Sequence, residues 1–244
     1  MSLRLFRIPA YYVGYLAGFY AHRPDLMRES YSTQHAALMA DAFNQSNAYT
    51  QALIERGYDV FDVFAYAEPL QKRWAAENGI AYQDENWVTD ILFAQIERFQ
   101  PDVLWIEPWE KLFGAEFIEH CRAISPALRL VIGQCGEAHP GIEFYRAHDL
   151  VISCAPEVID LYRQQGARAE VLPHGFEPRL LPLIAQSDPA SPIPPADLGF
   201  VGQFIFGDQF HTARAHIMLA LAQQVELAIY GEVFVPDFRA KKHK

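Results

Sequence analysis

Gln100-Pro101-Asp102-Val103-Leu104-Trp105-Ile106-Glu107 is the stretch that decides the fold. A turn at Gln100-Pro101-Asp102 feeds four consecutive apolar residues with no polar alternation between them. That is the pattern of a strand buried on both faces of a parallel sheet. Glu107 follows the run directly, at the end of the strand where open α/β sheets hold their ligands.

Working outward, the same unit repeats. Upstream, Asn86 to Phe99 places Val88, Ile91, Leu92, Gln95 and Ile96 at helical spacing, which predicts an amphipathic helix. Before it, Leu70 to Glu77 reads as a short helix closed by Asn78-Gly79, and Tyr58 to Ala65 as a strand. Ser32 is the expected N-cap of a helix that pauses at Asn44-Gln45-Ser46-Asn47 and resumes to Gly57. Leu3 to Ile8 is the expected first strand, and the segment through Gly14 and Gly18 an expected loop. Downstream, Phe113 to Ala123 reads as helix, Leu128 to Ile132 as strand, Tyr145 as the end of a short helix and Leu150 to Ser153 as strand. Pro156 stands at a first helical position, Gly166 closes that helix, and Ala169 to Leu172 is a final strand. Strands and helices alternating in this way predict an α/β fold built on a doubly wound, mostly parallel, Rossmann-like sheet.

The rhythm breaks at Ser187-Asp188-Pro189-Ala190-Ser191-Pro192-Ile193-Pro194-Pro195, which suits neither a helix nor a central strand. Beyond it come a strand at Leu198 to Val201, a helix at His211 to Gln223 and a strand at Val225 to Tyr230. The expected organisation is a first domain over residues 1–175, a Pro-rich linker over 176–196 and the start of a second Rossmann-like domain over 197–244. Two strands and one helix are too little to close a core. The expectation is therefore a domain that this chain begins and does not complete.

Composition narrows the function classes. With 51% hydrophobic and 20% charged residues among 244, a sizeable core is expected rather than disorder. A net charge of -10 argues against a nucleic-acid surface. No run reaches the length of a membrane span. The uncharged stretch from Ile8 to Ala21 follows Arg4 and Arg7, but Pro9, two glycines and four tyrosines make it a poor signal sequence. The three cysteines, Cys121, Cys135 and Cys154, form no CxxC pair, and a reducing, cytoplasmic setting is expected. The nine histidines are scattered without metal-ligand spacing, so no metal and no cofactor are expected.

A resemblance adds to this reading. Tyr31, Gln34, Ala48-Tyr49, Leu53, Arg56-Gly57-Tyr58, Leu70-Gln71, Trp74 and Glu77-Asn78-Gly79 resemble, in order and spacing, the amino-terminal domain of bacterial two-domain glycosyltransferases of the GT-B fold, the group that includes the spore-maturation type sugar transferases. Leu172-Pro173-His174-Gly175-Phe176-Glu177-Pro178 resembles that group's interdomain segment. Asp197-Leu198-Gly199-Phe200-Val201-Gly202, Arg214 and Leu227-Ala228-Ile229-Tyr230-Gly231 resemble the opening of its donor domain.

The resemblance implies transfer of a sugar from a nucleotide-sugar donor, which is a substrate and not a cofactor, to an acceptor lying against the first domain. It also implies that Gly202 lets the backbone approach the donor phosphates and that Arg214 pairs with them. The group's members continue well past residue 244, so an inactive, truncated chain is expected, or one whose second domain is completed by another copy. General-base candidates come from the residues leaving the strands: His139 first, because imidazole titrates near neutrality, then Glu107 and Glu137, with Glu110 nearby. His174 is expected to support the interdomain turn. The cluster Tyr11, Tyr12, Tyr15, Phe19 and Tyr20 suits either packing or stacking on an acceptor. Two alternatives remain: a non-catalytic binding or scaffold module with a glycosyltransferase-like fold, and a sugar-nucleotide epimerase.

Overall fold

The computed structural model describes residues 2–44, 47–108, 111–136, 141–186, 198–202, 204–205, 209–230 and 233–234, with backbone alone at 204–205, 209–211 and 233–234. The chain divides into two compact units, Met1–Leu180 and Leu181–Lys244.

The first unit runs β1 (Arg4–Ile8), α1 (Val13–Ala21), α2 (Tyr31–Ala40), α3 (Ala48–Glu55), β2 (Asp59–Asp62), α4 (Glu68–Asn78), α5 (Trp87–Phe99) and β3 (Val103–Ile106). It continues with α6 (Ala115–Ile124), β4 (Leu130–Cys135), α7 (Ile142–Tyr145), β5 (Leu150–Ser153), α8 (Pro156–Gln164) and β6 (Ala169–Val171). The six strands form one sheet in the order β2-β1-β3-β4-β5-β6, and every pair is parallel. Helices flank this sheet, giving the α/β, Rossmann-like architecture that the alternating pattern predicts. The strand order reverses between β1 and β3, so the topological switch point lies there. All four residues of β3 are buried, as its unbroken apolar run requires.

Alternation along the strands sorts the core. Phe6, Ile8, Leu104, Ile106 and Val131 pack under α5 and α6 through Leu92, Ile96, Phe117, Ile118 and Cys121. Cys135, Val151 and Ala169 pack under α8 through Val158, Ile159 and Tyr162. On the other face Leu5, Val103, Trp105 and Ile152 meet Tyr49 and Leu53 of α3. Beyond the end of β2, Phe64 joins Leu16, Phe19, Tyr20, Leu38 and Leu70 in a separate cluster built from α1, α2 and α4.

Two local expectations are corrected. The segment through Gly14 and Gly18 is helix α1, not a loop. Two helical glycines cost about 1 kcal/mol each, but Leu16, Phe19 and Tyr20 are buried at helical spacing, and large apolar side chains return roughly 1.5–3 kcal/mol each. Helix α2 starts two residues earlier than read, capped by Ser30, whose hydroxyl accepts from the Thr33 N–H at 3.2 Å, and not by Ser32. Of the early aromatic cluster, Tyr11, Phe19 and Tyr20 are buried, Tyr15 stacks on Phe43 at 3.6 Å, and Tyr12 is exposed.

In the second unit, helix α9 (Leu180–Gln186) begins at the division, inside the stretch expected to be linker. The Pro-rich residues 187–197 lie outside the described residues. Strand β7 (Leu198–Val201) pairs in parallel with β9 (Leu227–Tyr230), and β8 (Phe204–Ile205) with β10 (Val233–Phe234). Helix α10 (Gln209–Leu221) lies between β8 and β9 in the chain. Among the described residues of this unit Ala215 is the one fully buried apolar side chain, whereas Val201 is 83% exposed.

Glycine is required at one point in the first sheet. A Cβ on Gly133, in β4, would lie 2.7 Å from the His148 ring and 2.8 Å from the Tyr145 ring. Gly133→Ala should cost about 1–3 kcal/mol, the range for overpacking a filled core, read as a lower urea midpoint with an unchanged m-value. The same packing predicts a pH dependence. Burial holds the His148 imidazole down at about 4, below its ordinary 6.5. The folded state therefore disfavours the charged form, and this contribution is complete above pH 6.5 and lost as pH falls toward 4. The loss should reach about 3 kcal/mol, since each pKa unit is worth 1.36 kcal/mol. His148→Gln should remove that share of the slope in urea titrations between pH 7 and 4.

Candidate functional site

The carboxyl edge of the first sheet is organised by one side chain. Arg7, on β1, is 0% exposed. Its Nε donates to Glu107 Oε1 at 2.8 Å, its second terminal nitrogen lies 2.7 Å from the same oxygen, and its first donates to Asp62 Oδ1 at 3.3 Å. Glu107 (6% exposed) follows β3, and Asp62 (2% exposed) ends β2. One cation thus ties the carboxyl ends of three neighbouring strands across the switch point.

Both carboxylates carry the connection further. Glu107 Oε2 accepts from the Ala10 N–H at 3.0 Å, holding the chain as it leaves β1, and the Glu107 N–H donates to the Ile8 carbonyl. Asp62 Oδ2 accepts from the hydroxyl of Thr50, in the first turn of α3. The neighbouring Tyr49 ring lies 5.0 Å from the Arg7 guanidinium and the Trp105 ring 5.3 Å from it. Tyr49 and Trp105 lie 5.0 Å apart, and the Trp105 indole N–H donates to Gln134 on β4.

Burial raises the Asp62 carboxyl to about 6, with Arg7 opposing the shift and Glu107 adding to it. For Arg7 burial works against the charge, but Glu107 and Asp62 outweigh it, so the guanidinium is held above its ordinary value.

Above this network lies a cleft of about 380 Å³. Its walls are the α2–α3 connection at Ala42, Asn44 and Asn47, the first turns of α3 at Ala48, Tyr49 and Ala52, and the segment His174, Gly175, Phe176, Glu177 and Leu180. Strands in a parallel sheet run against their connecting helices, so the N-terminus of α3 falls at the carboxyl edge, where ligands of open α/β sheets bind. Phe176 is 69% exposed, a large aromatic face offered to the solvent side. The Asn44 amide donates to the Ala10 carbonyl at 3.1 Å. Glu177 is kept ionised, held down at about 2 by hydrogen bonds from Arg179.

Ala42 has φ +56 and Asn44 φ +54. A left-handed alanine costs roughly 1–2 kcal/mol, and strain of this kind collects at functional sites. A wider hollow of about 490 Å³ lies at the opposite, amino-terminal edge, beside Arg4, Phe61, Trp74 and Arg98. Arg4 is paired there with Asp59, and Arg98 donates to Asn78.

The candidate residues read from the sequence fall in different places. Glu107 lies at the carboxyl edge as its position after β3 predicts, but its carboxylate is engaged by Arg7 and the Ala10 amide. His139, Glu137 and Glu110 lie outside the described residues. In the second unit Gly202 has φ +157, its N–H donates to the Tyr230 carbonyl, and a Cβ there would lie 2.9 Å from the Phe200 ring. The Arg214 guanidinium is 6.0 Å from that ring, so Phe200 links the two donor-phosphate candidates.

Reading the sequence missed Arg7, Asp62 and Thr50. An arginine within an apolar strand was the available signal, because a buried guanidinium requires carboxylate partners. Among the described residues no group of three or more His, Cys, Asp or Glu side chains is placed to hold a metal ion, and no helix is long and apolar enough to cross a membrane.

No protein-family model matches the chain, and no curated protein sequence matches it.

Removing Arg7 strands two carboxylates in the interior. Arg7→Met should destabilise the protein by about 3–5 kcal/mol at pH 7, the cost of breaking a buried ion pair. The deficit should shrink at pH 4 as the carboxylates take up protons, which urea melts of both proteins at the two pH values would measure.

Proposed function

We propose that the chain is a glycosyltransferase-like protein of the GT-B type, and that the cleft over α3 receives the hydroxyl-bearing acceptor. The observation that carries this reading is the cleft itself. It sits at the carboxyl edge of a parallel sheet, with the Tyr49 and Phe176 rings, the Asn44 and Asn47 amides and the His174 imidazole on its walls. Aromatic faces with a few amides and one titratable ring suit a carbohydrate, which offers apolar C–H faces and a fringe of hydroxyls. The resemblance noted above supplies the reaction class: transfer from a nucleotide-activated sugar. In this reading Gly202 and Arg214 of the second unit hold the donor diphosphate, without a cofactor. His174 is the imidazole on the cleft wall, and the reading assigns it contact with an acceptor hydroxyl.

A second reading, a non-catalytic carbohydrate-binding module, is favoured by one observation. Glu107, the carboxylate closest in sequence to the switch point, is buried in its pair with Arg7 and lines no part of the cleft. Both readings expect methyl α-glucoside or a related glycoside to bind at the cleft. Phe176→Ala and Tyr49→Ala should each weaken that binding about 3–10-fold, the equivalent of an aromatic contact worth ~0.5–1.5 kcal/mol. Saturation-transfer NMR with a panel of methyl glycosides would measure it, and no effect of either substitution would remove the cleft from consideration. Incubating bound glycosides with nucleotide-sugar donors separates the two readings. Mass increments of one hexose identify the transferase, and binding without turnover identifies the module.

A further inference from the structure

The buried network beneath α3 does not balance its charge. Among the described residues it holds one guanidinium, Arg7, and two carboxylates, Asp62 and Glu107, and none of the three is more than 6% exposed. With both carboxylates ionised the interior carries a net negative charge. A buried charge without compensation is costly, and a proton is the simplest thing that removes it. Glu107 has the better compensation, with Arg7 at 2.7 and 2.8 Å and the Ala10 N–H at 3.0 Å. Asp62 has Arg7 at 3.3 Å and the Thr50 hydroxyl. The imbalance therefore falls on Asp62, and Asp62 is the group that α3 covers.

We propose that this cluster is a latch on α3: with one carboxylate neutral it holds the first turn of the helix against the sheet, and with both ionised it lets that turn lift. Tyr49 belongs to the same turn and forms a wall of the cleft, so the latch sets the width of the cleft. The consequence for ligand binding rests on the reading of the cleft given above, whereas the latch rests on the buried charges alone.

The sign follows from linkage. Lifting α3 admits water to Asp62 and returns its carboxyl from about 6 toward the ordinary 3.8. The docked helix thus binds the proton more tightly than the lifted one, so acid closes the latch and a rise in pH through about 6 loosens it. A protonated Asp62 still bonds Thr50, because a carboxylic acid both donates and accepts.

Other titratable groups face the cluster. From α2, His35 Nε2 lies 2.9 Å from the Asp62 carbonyl, and burial holds its imidazole below the ordinary value. Tyr31 of α2 faces Asp62, and burial holds its phenol above the ordinary value. Tyr11 faces Arg7. Tyr49 faces Glu107, Arg7 and Cys154, and burial raises its phenol too. Burial moves the Asp62 carboxyl to about 6, inside the range between pH 4 and 7.

Hydrogen exchange of the α3 amides from Gln51 to Ile54 tests the latch, with protection factors corrected for intrinsic rate between pH 4 and 7.5. The wild-type protein should lose about tenfold in α3 protection as pH rises through 6, while β3 and β4 stay protected. Asp62→Asn should remain at the acid level throughout. Glu107→Gln removes the competing charge and should move the midpoint down by about one pH unit. His35→Gln should keep the wild-type profile. A flat wild-type profile, or a transition that survives in Asp62→Asn, overturns the latch, and loss of the transition in His35→Gln assigns it to the histidine instead. Methyl α-glucoside titrations at pH 5 and 7.5 form a separate arm. An exchange transition without glucoside binding leaves the latch standing and defeats the functional reading, and binding without the transition does the reverse.

Discussion

The first unit depends on a guanidinium placed where no water reaches it. Arg7 sits between β2 and β3 and can stay buried there because a carboxylate at the end of β2, Asp62, and one directly after β3, Glu107, lie within its reach. A buried ion of this kind contributes little net stability against a hydrophobic replacement, and its usual effect is to penalise arrangements that leave it unpaired. Here the penalised arrangements are those in which β1, β2 and β3 end out of step. The register of three strands, the departure of the chain at Ala10 and the seat of α3 are all consistent with satisfying this one side chain.

The same constraint shapes the cleft. A doubly wound sheet needs helices on both faces, and on the face that carries Arg7 the side chains over β1 and β3 come from α3. The N-terminus of α3 is therefore fixed from below by Thr50 and flanked by a connection in which Ala42 and Asn44 adopt left-handed conformations. The far wall comes from a segment some 125 residues later in the chain, His174 to Leu180, which follows the last strand. A cleft assembled from two distant stretches at the carboxyl edge is the ordinary means by which an open α/β sheet forms a site. Its walls carry the Tyr49 and Phe176 rings, the Asn44 and Asn47 amides, the His174 imidazole and the Glu177 carboxylate.

How much was legible beforehand differs by element. Helices α5 and α8 and strand β3 were readable because burial, period and end signals agree: Ile91, Leu92 and Ile96 make one stripe, Pro156 and Gly166 bracket the other helix, and Val103 to Ile106 has no polar residue to place on a surface. Helix α1 was not, since Gly14 and Gly18 argue locally for a loop and only packing against Phe64, from the far end of β2, decides otherwise. The cap of α2 was displaced for a similar reason, with three residues of suitable type, Ser30, Ser32 and Thr33, competing within four positions. Glu107 was identified from its place after a buried strand, but the partner that occupies it is 100 residues away, and no local pattern announces a pair of that separation.

The amino-acid sequence by itself determined the class of fold and the parallel character of the sheet, because hydrophobic period and chain-ending residues are local properties. The tertiary structure alone decided which side chains meet there. Arg7, Asp62, Thr50 and Glu107 come from four separate elements, and their association is set by strand order and register. The charge imbalance under α3 is likewise a property of their meeting: Arg7 in an apolar strand announces a need for carboxylates but not which ones, and among the described residues the excess carboxylate exists only once one buried guanidinium serves two of them.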